Sequence, residues 1–346
     1  MKRLLRIARA LGVLLALALI VGSGYEWFAR RAARRDFPPP GRLVDIGGRR
    51  IQLDCRGTGR PIVVLESGLD IGGSTAWSAV HDSLARITRT CAYSRAGVMW
   101  SDAAPGPTTP RGVADDLHAT LVDAGEAPPY VLVGHSLGGP YTMIYTKYYG
   151  AEVAGLVMVD ASHPEQEQRF AALSPKLGKQ SLGLWKVVSA LSWTGAWRAL
   201  TSGNAPMPNQ RASVARAVHA YAPTSFAATL KEGDALSAVL AEAGTFRHLG
   251  DRPLFVLTAN KPPTAAELAA TASTVAKDSA MRAVWRGMQD DEATWSTRSQ
   301  HRVLDDASHY IQYSRPDAVI DAVRSVVDSV RAGSAHVTTH APAPVP

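Results

Sequence analysis

The stretch Tyr130-Val131-Leu132-Val133-Gly134-His135-Ser136-Leu137-Gly138-Gly139 says more about this chain than any other ten residues. Four apolar residues run into a G-x-S-x-G pattern, and an amphipathic segment follows at once. An apolar strand, a tight turn and a helix are expected in that order, a geometry that lifts a serine clear of a sheet. Gly134 and Gly138 leave room where the strand and helix backbones nearly touch. The helix N-terminus directs its unpaired N–H groups at charge developing beside Ser136. Pro140 falls in the first helical turn, where it costs no hydrogen bond. The pentapeptide alone recurs by chance; the strand before it and the helix after it give it weight.

Working outward, short apolar runs alternate with amphipathic ones. Residues 42–46 and 51–54 read as a hairpin about Gly47-Gly48, and 61–65, 88–93, 156–159, 253–258 and 300–304 read as further strands. Helical patterns lie near 77–87, 112–124, 138–149 and 316–331. The pattern predicts an α/β fold with an eight-stranded, mostly parallel sheet, helices on both faces and an antiparallel opening. Residues 164–250 interrupt the alternation with a largely helical stretch holding Trp185, Trp193 and Trp197. So long an excursion at the carboxyl end of a parallel sheet reads as a lid over a crevice, and its tryptophans suit an apolar substrate. The organisation expected is an apolar segment with basic flanks (1–36), a Pro-rich spacer (37–41) and a core in two parts (42–163 and 251–331) around the lid (164–250). A disordered Ala/Thr/Pro-rich tail (332–346) completes it.

Charge narrows the choice of partners. The 346-residue chain is formally +7, yet residues 1–36 hold eight basic and two acidic side chains, a net of +6. The rest of the chain is nearly neutral, so no nucleic-acid partner is expected. From Ala10 to Tyr25 no residue is charged. That run suits a membrane anchor or the apolar region of a cleavable signal peptide, with Val21-Gly22-Ser23 as a cleavage site. Tyr25, Trp27 and Phe28 look like an interfacial aromatic belt and favour the uncleaved anchor. Four basic side chains on each flank leave the positive-inside rule nearly tied. No metal or cofactor is expected: the two cysteines lack C-x-x-C spacing, H-E-x-x-H is absent, and no Gly-rich phosphate loop follows a strand. The single H-x-x-x-H spacing, His336 with His340, falls in the tail.

Several further segments resemble the α/β-hydrolase superfamily across residues 42–331, closest to bacterial serine hydrolases with a GHSLGG elbow. Leu65-Glu66-Ser67-Gly68-Leu69 stands where that superfamily places its oxyanion loop. Tyr93-Ser94-Arg95-Ala96-Gly97, with Trp100-Ser101-Asp102, resembles the Y-D-R-x-G-x-x-x-S-D loop. Val159-Asp160-Ala161-Ser162-His163-Pro164 is similar to the end of the sixth strand, and Ser308-His309-Tyr310-Ile311-Gln312 to the histidine loop. Ser94 departs from the usual aspartate, which is expected to loosen an Arg95 contact. Glu66 is expected to hydrogen-bond loop backbone.

The resemblance implies acyl chemistry with Ser136 as nucleophile and His309, after the last strand, as its base. His135 and His163 are weaker rivals. The orienting acid most often follows the seventh strand in this superfamily, but Ala259-Asn260-Lys261-Pro262-Pro263 offers no carboxylate. Asp160, at the end of the sixth strand, is favoured, with Glu267 and Asp291 as alternatives. Backbone N–H groups of Leu137 and of the Gly68-Leu69 turn are the implied oxyanion donors. The implied function is hydrolysis of a carboxylic ester, thioester or amide through an acyl-enzyme; the alternative is a ligand-binding or signalling module on the same fold. Dehalogenases and epoxide hydrolases of this fold need an aspartate where Ser136 stands. Finally, the implied strand order 1-2-4-3-5-6-7-8 makes the strands of Cys55 and Cys91 antiparallel neighbours, so a disulfide is expected. A disulfide needs an oxidising compartment, which puts the domain on the outer side of the cell membrane, or in secreted form if the leader is cleaved.

Overall fold

The structure is a computed structural model that describes residues 2–174, 183–201 and 206–338. Helix α1 (Lys2–Asp36) precedes a hairpin of β1 (Arg42–Asp45) and β2 (Arg50–Arg56), then β3 (Ile62–Glu66), the single turn α2 (His81–Leu84) and β4 (Thr90–Ser94). Next come α3 (Pro110–Asp123), β5 (Tyr130–His135), α4 (Gly138–Tyr149) and β6 (Val153–Val159). The sheet runs β1-β2-β4-β3-β5-β6 and is completed by β7 (Leu254–Ala259) and β8 (Ser299–Leu304), the order that the family resemblance implied. β1–β2 and β2–β4 are antiparallel and every later pair is parallel.

Alternation along the strands divides the core in two. Ile62, Val64, Leu132, Leu156 and Met158 face α3 and α4. Val63, Leu65, Val131, Val133, Val157 and Val159 face the other side, where the last helix supplies Val319, Ala322, Val323 and Val326. Strands buried on both faces read as continuous apolar runs, which is why β3 and β5 were legible.

The stretch expected to be a lid, residues 164–250, holds helices α5 (Gln166–Leu173), α6 (Gly183–Ala190), α7 (Ala196–Thr201), α8 (Ala212–Asp234) and α9 (Leu236–Gly244); residues 175–182 and 202–205 lie outside the described residues. Between β7 and β8 stand two helices the sequence reading did not assign, α10 (Ala265–Ala270) and α11 (Val275–Glu292). After β8 come α12 (Ile311–Ser314) and α13 (Pro316–Thr338). α13 continues past the point where a disordered tail was expected, and residues 339–346 are not described. Of the helix expected over 77–87 only the single turn α2 forms, preceded by a 3-10 turn, Gly73–Trp77, whose Ser74 N–H donates to the Ser94 hydroxyl on β4 (3.1 Å).

Cys55 and Cys91 are directly opposed on β2 and β4 and form a disulfide, with Cα atoms 4.0 Å apart. The bridge ties the antiparallel edge to the parallel body. Closing a loop at a sequence separation of 36 stabilises by about 4 kcal/mol in the chain-entropy picture. A Cys55→Ala/Cys91→Ala variant should lose stability of that order in urea unfolding; an unchanged midpoint would refute the assignment of that role.

Candidate active site

Two residues at the carboxyl ends of neighbouring strands carry backbone strain. Ser136 has φ +52° and Asp160 has φ +44°, at the C-terminal ends of adjacent strands β5 and β6. Non-glycine residues rarely adopt this region, and such outliers persist only where neighbours hold them. The holding bonds are explicit. Ser136 N–H donates to Val159 carbonyl (3.2 Å), and Ser136 carbonyl accepts from Gly139 and Ser162 N–H (3.0 and 2.9 Å). Asp160 N–H donates to Leu257 carbonyl (2.7 Å). Glycine is required at the crossing: a Cβ on Gly134 would sit 2.6 Å from the Gly138 carbonyl oxygen.

His309 lies between β8 and α12, and its Nδ1 is 2.6 Å from Asp160 Oδ2. The carboxylate is buried, and its other oxygen accepts from Ala259 N–H and from the Trp285 indole N–H, both at 2.8 Å. Asp160 is therefore fixed by β7 and α11 before it meets the imidazole. The alternatives are engaged elsewhere. Glu267 closes a capping box with Thr264 at the start of α10, and Asp291 sits 2.7 Å from His163 Nε2. Beside Asp291, Glu292 is buried with neither carboxylate oxygen bonded among the described residues, and burial, with Asp160 and Asp291 nearby, pushes its pKa well up.

His135 has a different part. Its Nε2 donates to the His309 carbonyl oxygen (3.0 Å), since a carbonyl can only accept, and this fixes the tautomer. Burial, reinforced by His309 nearby, depresses its pKa well below the usual range, so the ring is neutral. The residue beside Ser136 thus tethers the backbone of His309.

The loop after β3 comes close to Ser136. A Cβ on Gly68 would lie 2.9 Å from Ser136 Cβ, so only glycine lets the loop approach this near. Arg95, buried, donates to the carbonyl oxygens of Ser67 and Gly68 (2.7 Å each). In a trans peptide the N–H points opposite to its carbonyl. The Gly68 and Leu69 N–H groups are accordingly turned away from Arg95. The Ser136 carbonyl bonds orient the Leu137 N–H in the same manner. Among the described residues, neither Leu69 nor Leu137 donates its N–H to another backbone group.

Here two expectations are corrected. The Arg95 contact is not loosened by Ser94: Arg95 also binds Glu66 (2.5 Å) and, through Nε and Nη2, both oxygens of Glu232 on α8 (2.8 and 2.7 Å). Ser94 instead bonds Gln52 (2.8 Å). Glu66 does not bond loop backbone; it takes the Tyr93 hydroxyl and Arg95, and burial raises its carboxyl to about 7. Helix α8 supplies the second acid, which no local sequence pattern could reveal. Arg95→Met strands Glu66 and Glu232 in the interior and should cost about 3–5 kcal/mol in denaturant unfolding; a loss below roughly 1 kcal/mol, the scale of an exposed pair, would contradict this.

A cavity of about 250 Å³ lies alongside, walled by Asp70, Gly72, Trp197, Tyr310 and Tyr313 among others. Ser136 and His309 do not line it, but Asp70 and Tyr310 directly follow Leu69 and His309 in sequence. Burial raises Asp70 to about 6, and its Oδ1 is held by the N–H groups of Gly72 and Gly73. Among the described residues, Cys55, Cys91 and Glu126 are the one group of metal-ligating side chains within mutual reach, and the two sulfurs are joined to each other.

Residues 57–322 match the sequence profile of the alpha/beta hydrolase family. A probable transporter from Hormonema carpetanum is 35% identical over 144 residues, 39% of this chain and 20% of that protein. The chain spans well under half the length of the curated relatives it matches. A thermophilic esterase from Thermogutta terrifontis is similar in structure, with a TM-score of 0.52 at 18% identity, covering 83% of this chain and 97% of that one. An N-acyl homoserine lactone degrading enzyme is comparable, with a TM-score of 0.53 at 18% identity over 83% of this chain and all of the other. Identities this low speak for the fold alone, whereas the profile covers three quarters of the chain: the protein belongs to the alpha/beta hydrolase family.

Proposed function

We propose that the chain is a serine hydrolase that cleaves a carboxylic ester, using Ser136, His309 and Asp160 as a triad. The observation that carries this reading is the 2.6 Å bond between His309 and a buried, doubly braced Asp160, on the strand next to the strained Ser136. Asp160 holds the proton on Nδ1, leaving Nε2 free to take the serine proton. Ser136 Oγ then attacks the ester carbonyl, and the N–H groups of Leu137 and Leu69, with Gly68, stabilise the oxyanion. His309 returns the proton to the leaving alcohol, and water repeats the sequence on the acyl-enzyme. Repeated turnover of p-nitrophenyl esters by the purified chain tests this; stoichiometric binding without turnover would favour a ligand-binding module instead.

We also infer that α1 is an uncleaved anchor and that the hydrolase body stands on the outer side of the membrane. The apolar run of α1 and the disulfide support this reading. Protease digestion of intact cells should remove the body and leave α1.

A further inference from the structure

The charge-free run of α1, Ala10 to Tyr25, has sixteen residues. At 1.5 Å each they cover about 24 Å, short of the roughly 30 Å hydrocarbon core of a bilayer. An anchor this short cannot give up its last turn. Yet that turn is where α1 meets the lid. A Cβ on Gly22 would fall 2.1 Å from the Thr194 carbonyl oxygen, and one on Gly195 would fall 3.0 Å from the Tyr25 ring. One residue further, Glu26 is 2% exposed and bonds Arg198 of α7 (2.7 Å), itself 7% exposed, as well as Arg30 (2.8 Å). The buried ion pair clamps α1 to the lid, so the height of the anchor in a membrane sets the height of the lid.

The lid at that level is apolar and open. Leu184, Trp185 and Val187 of α6, with Leu191 and Trp193 beside the Thr194 contact, are all exposed, Leu184 to 72%. On α1, just beyond the clamp, Arg31, Arg34 and Arg35 are exposed and Arg30 half-buried, with Arg31 stacked over Trp27 at 3.9 Å. A spanning helix, an apolar patch and a basic collar at one level fit an anionic bilayer surface. A second copy on the same patch would bring two arginine collars together, an unfavourable charge pairing.

We propose that this face of the lid is a bilayer-docking surface: Leu184, Trp185, Val187, Leu191 and Trp193 enter the headgroup–acyl boundary of the membrane that α1 crosses, and the ester cleaved is an amphiphile dissolved in that leaflet. The inference rests on the reading of the chain as an anchored ester hydrolase. Trp197, which walls the cavity beside the site, is on α7 next to the Arg198 clamp, so the helix that follows the docking face borders the space a substrate would enter.

The test uses the full chain in phosphatidylcholine vesicles containing one quarter phosphatidylglycerol, with or without lipids brominated near the headgroup. Tryptophan quenching is compared among wild type, Trp27→Phe and Trp185→Phe/Trp193→Phe, and vesicle flotation is scored for each. Docking requires that the double variant lose the lid's share of the bromolipid quenching, keeping that of Trp27, while still floating. Turnover by Leu184→Glu/Val187→Glu should fall roughly tenfold on an ester dissolved in the vesicles relative to soluble p-nitrophenyl acetate, because the apolar contact is lost. Quenching unchanged in the double variant, with Trp27 quenched and the protein floating, overturns the docking and leaves the anchor standing. Failure to float, with Trp27 unquenched, removes the anchor and the docking with it. Lid tryptophans shielded in a cross-linkable dimer assign the patch to a second copy and also overturn the proposal. Absence of turnover on either ester defeats the hydrolase reading independently of the quenching.

Discussion

Ser136→Ala and His309→Ala should each lower ester turnover on the order of 10⁴-fold or more, while urea unfolding stays near wild type. In the proposed triad the two side chains act as one unit, so the double variant should be scarcely worse than either single one. Ser136 is half-buried, and losing its hydroxyl leaves no cavity. The main-chain bonds that fix residue 136 survive the substitution. Turnover within about tenfold of wild type in a folded variant would remove the residue from the reaction.

Asp160→Asn is the second large effect, about 10⁴-fold in kcat. The amide oxygen can still accept from Ala259 and Trp285, so the strained turn keeps both braces. Its NH₂ group then faces His309 Nδ1 and donates to it. The imidazole proton is thereby driven to Nε2, where a base must have a lone pair. Binding of a non-hydrolysable ester analogue should change little, since the crevice keeps its shape. If Glu267→Gln proves more damaging than Asp160→Asn, the acid has been misassigned, although Glu267 is exposed and bonded to Thr264.

The parallel core was legible because strands buried on both faces leave uninterrupted apolar runs, as at Ile62–Glu66 and Tyr130–His135. The serine turn was legible because its glycines are demanded by backbone contact, at 2.6 Å for Gly134. What stayed hidden was long-range support. Trp285 reaches Asp160 across 125 residues. Its helix was missed, although Met281, Val284, Trp285 and Met288 follow i, i+3, i+4, i+7 spacing behind the cap Thr274. Arg95 gave no sign of Glu232, 137 residues away, because one arginine in a loop has no period to follow. Glu26 looked like an interruption in an apolar helix; its partner Arg198 is 172 residues distant.

The bond from His135 to the His309 carbonyl has a consequence for how the crevice divides its degrees of freedom. A general base must be placed and also turned. Translation of the histidine loop is limited from β5, by a neutral ring that grips main chain. Rotation of the imidazole is limited separately from β6, by a carboxylate that grips the side chain. Because the two restraints share no atom, either can be altered while the other persists. An acid at the end of a different strand would still find the imidazole at the same position, needing only to reach Nδ1 from another direction. On the triad reading, the placement of the His309 imidazole is thus insensitive to where the acid is mounted, and it is held instead by His135, the residue immediately before Ser136.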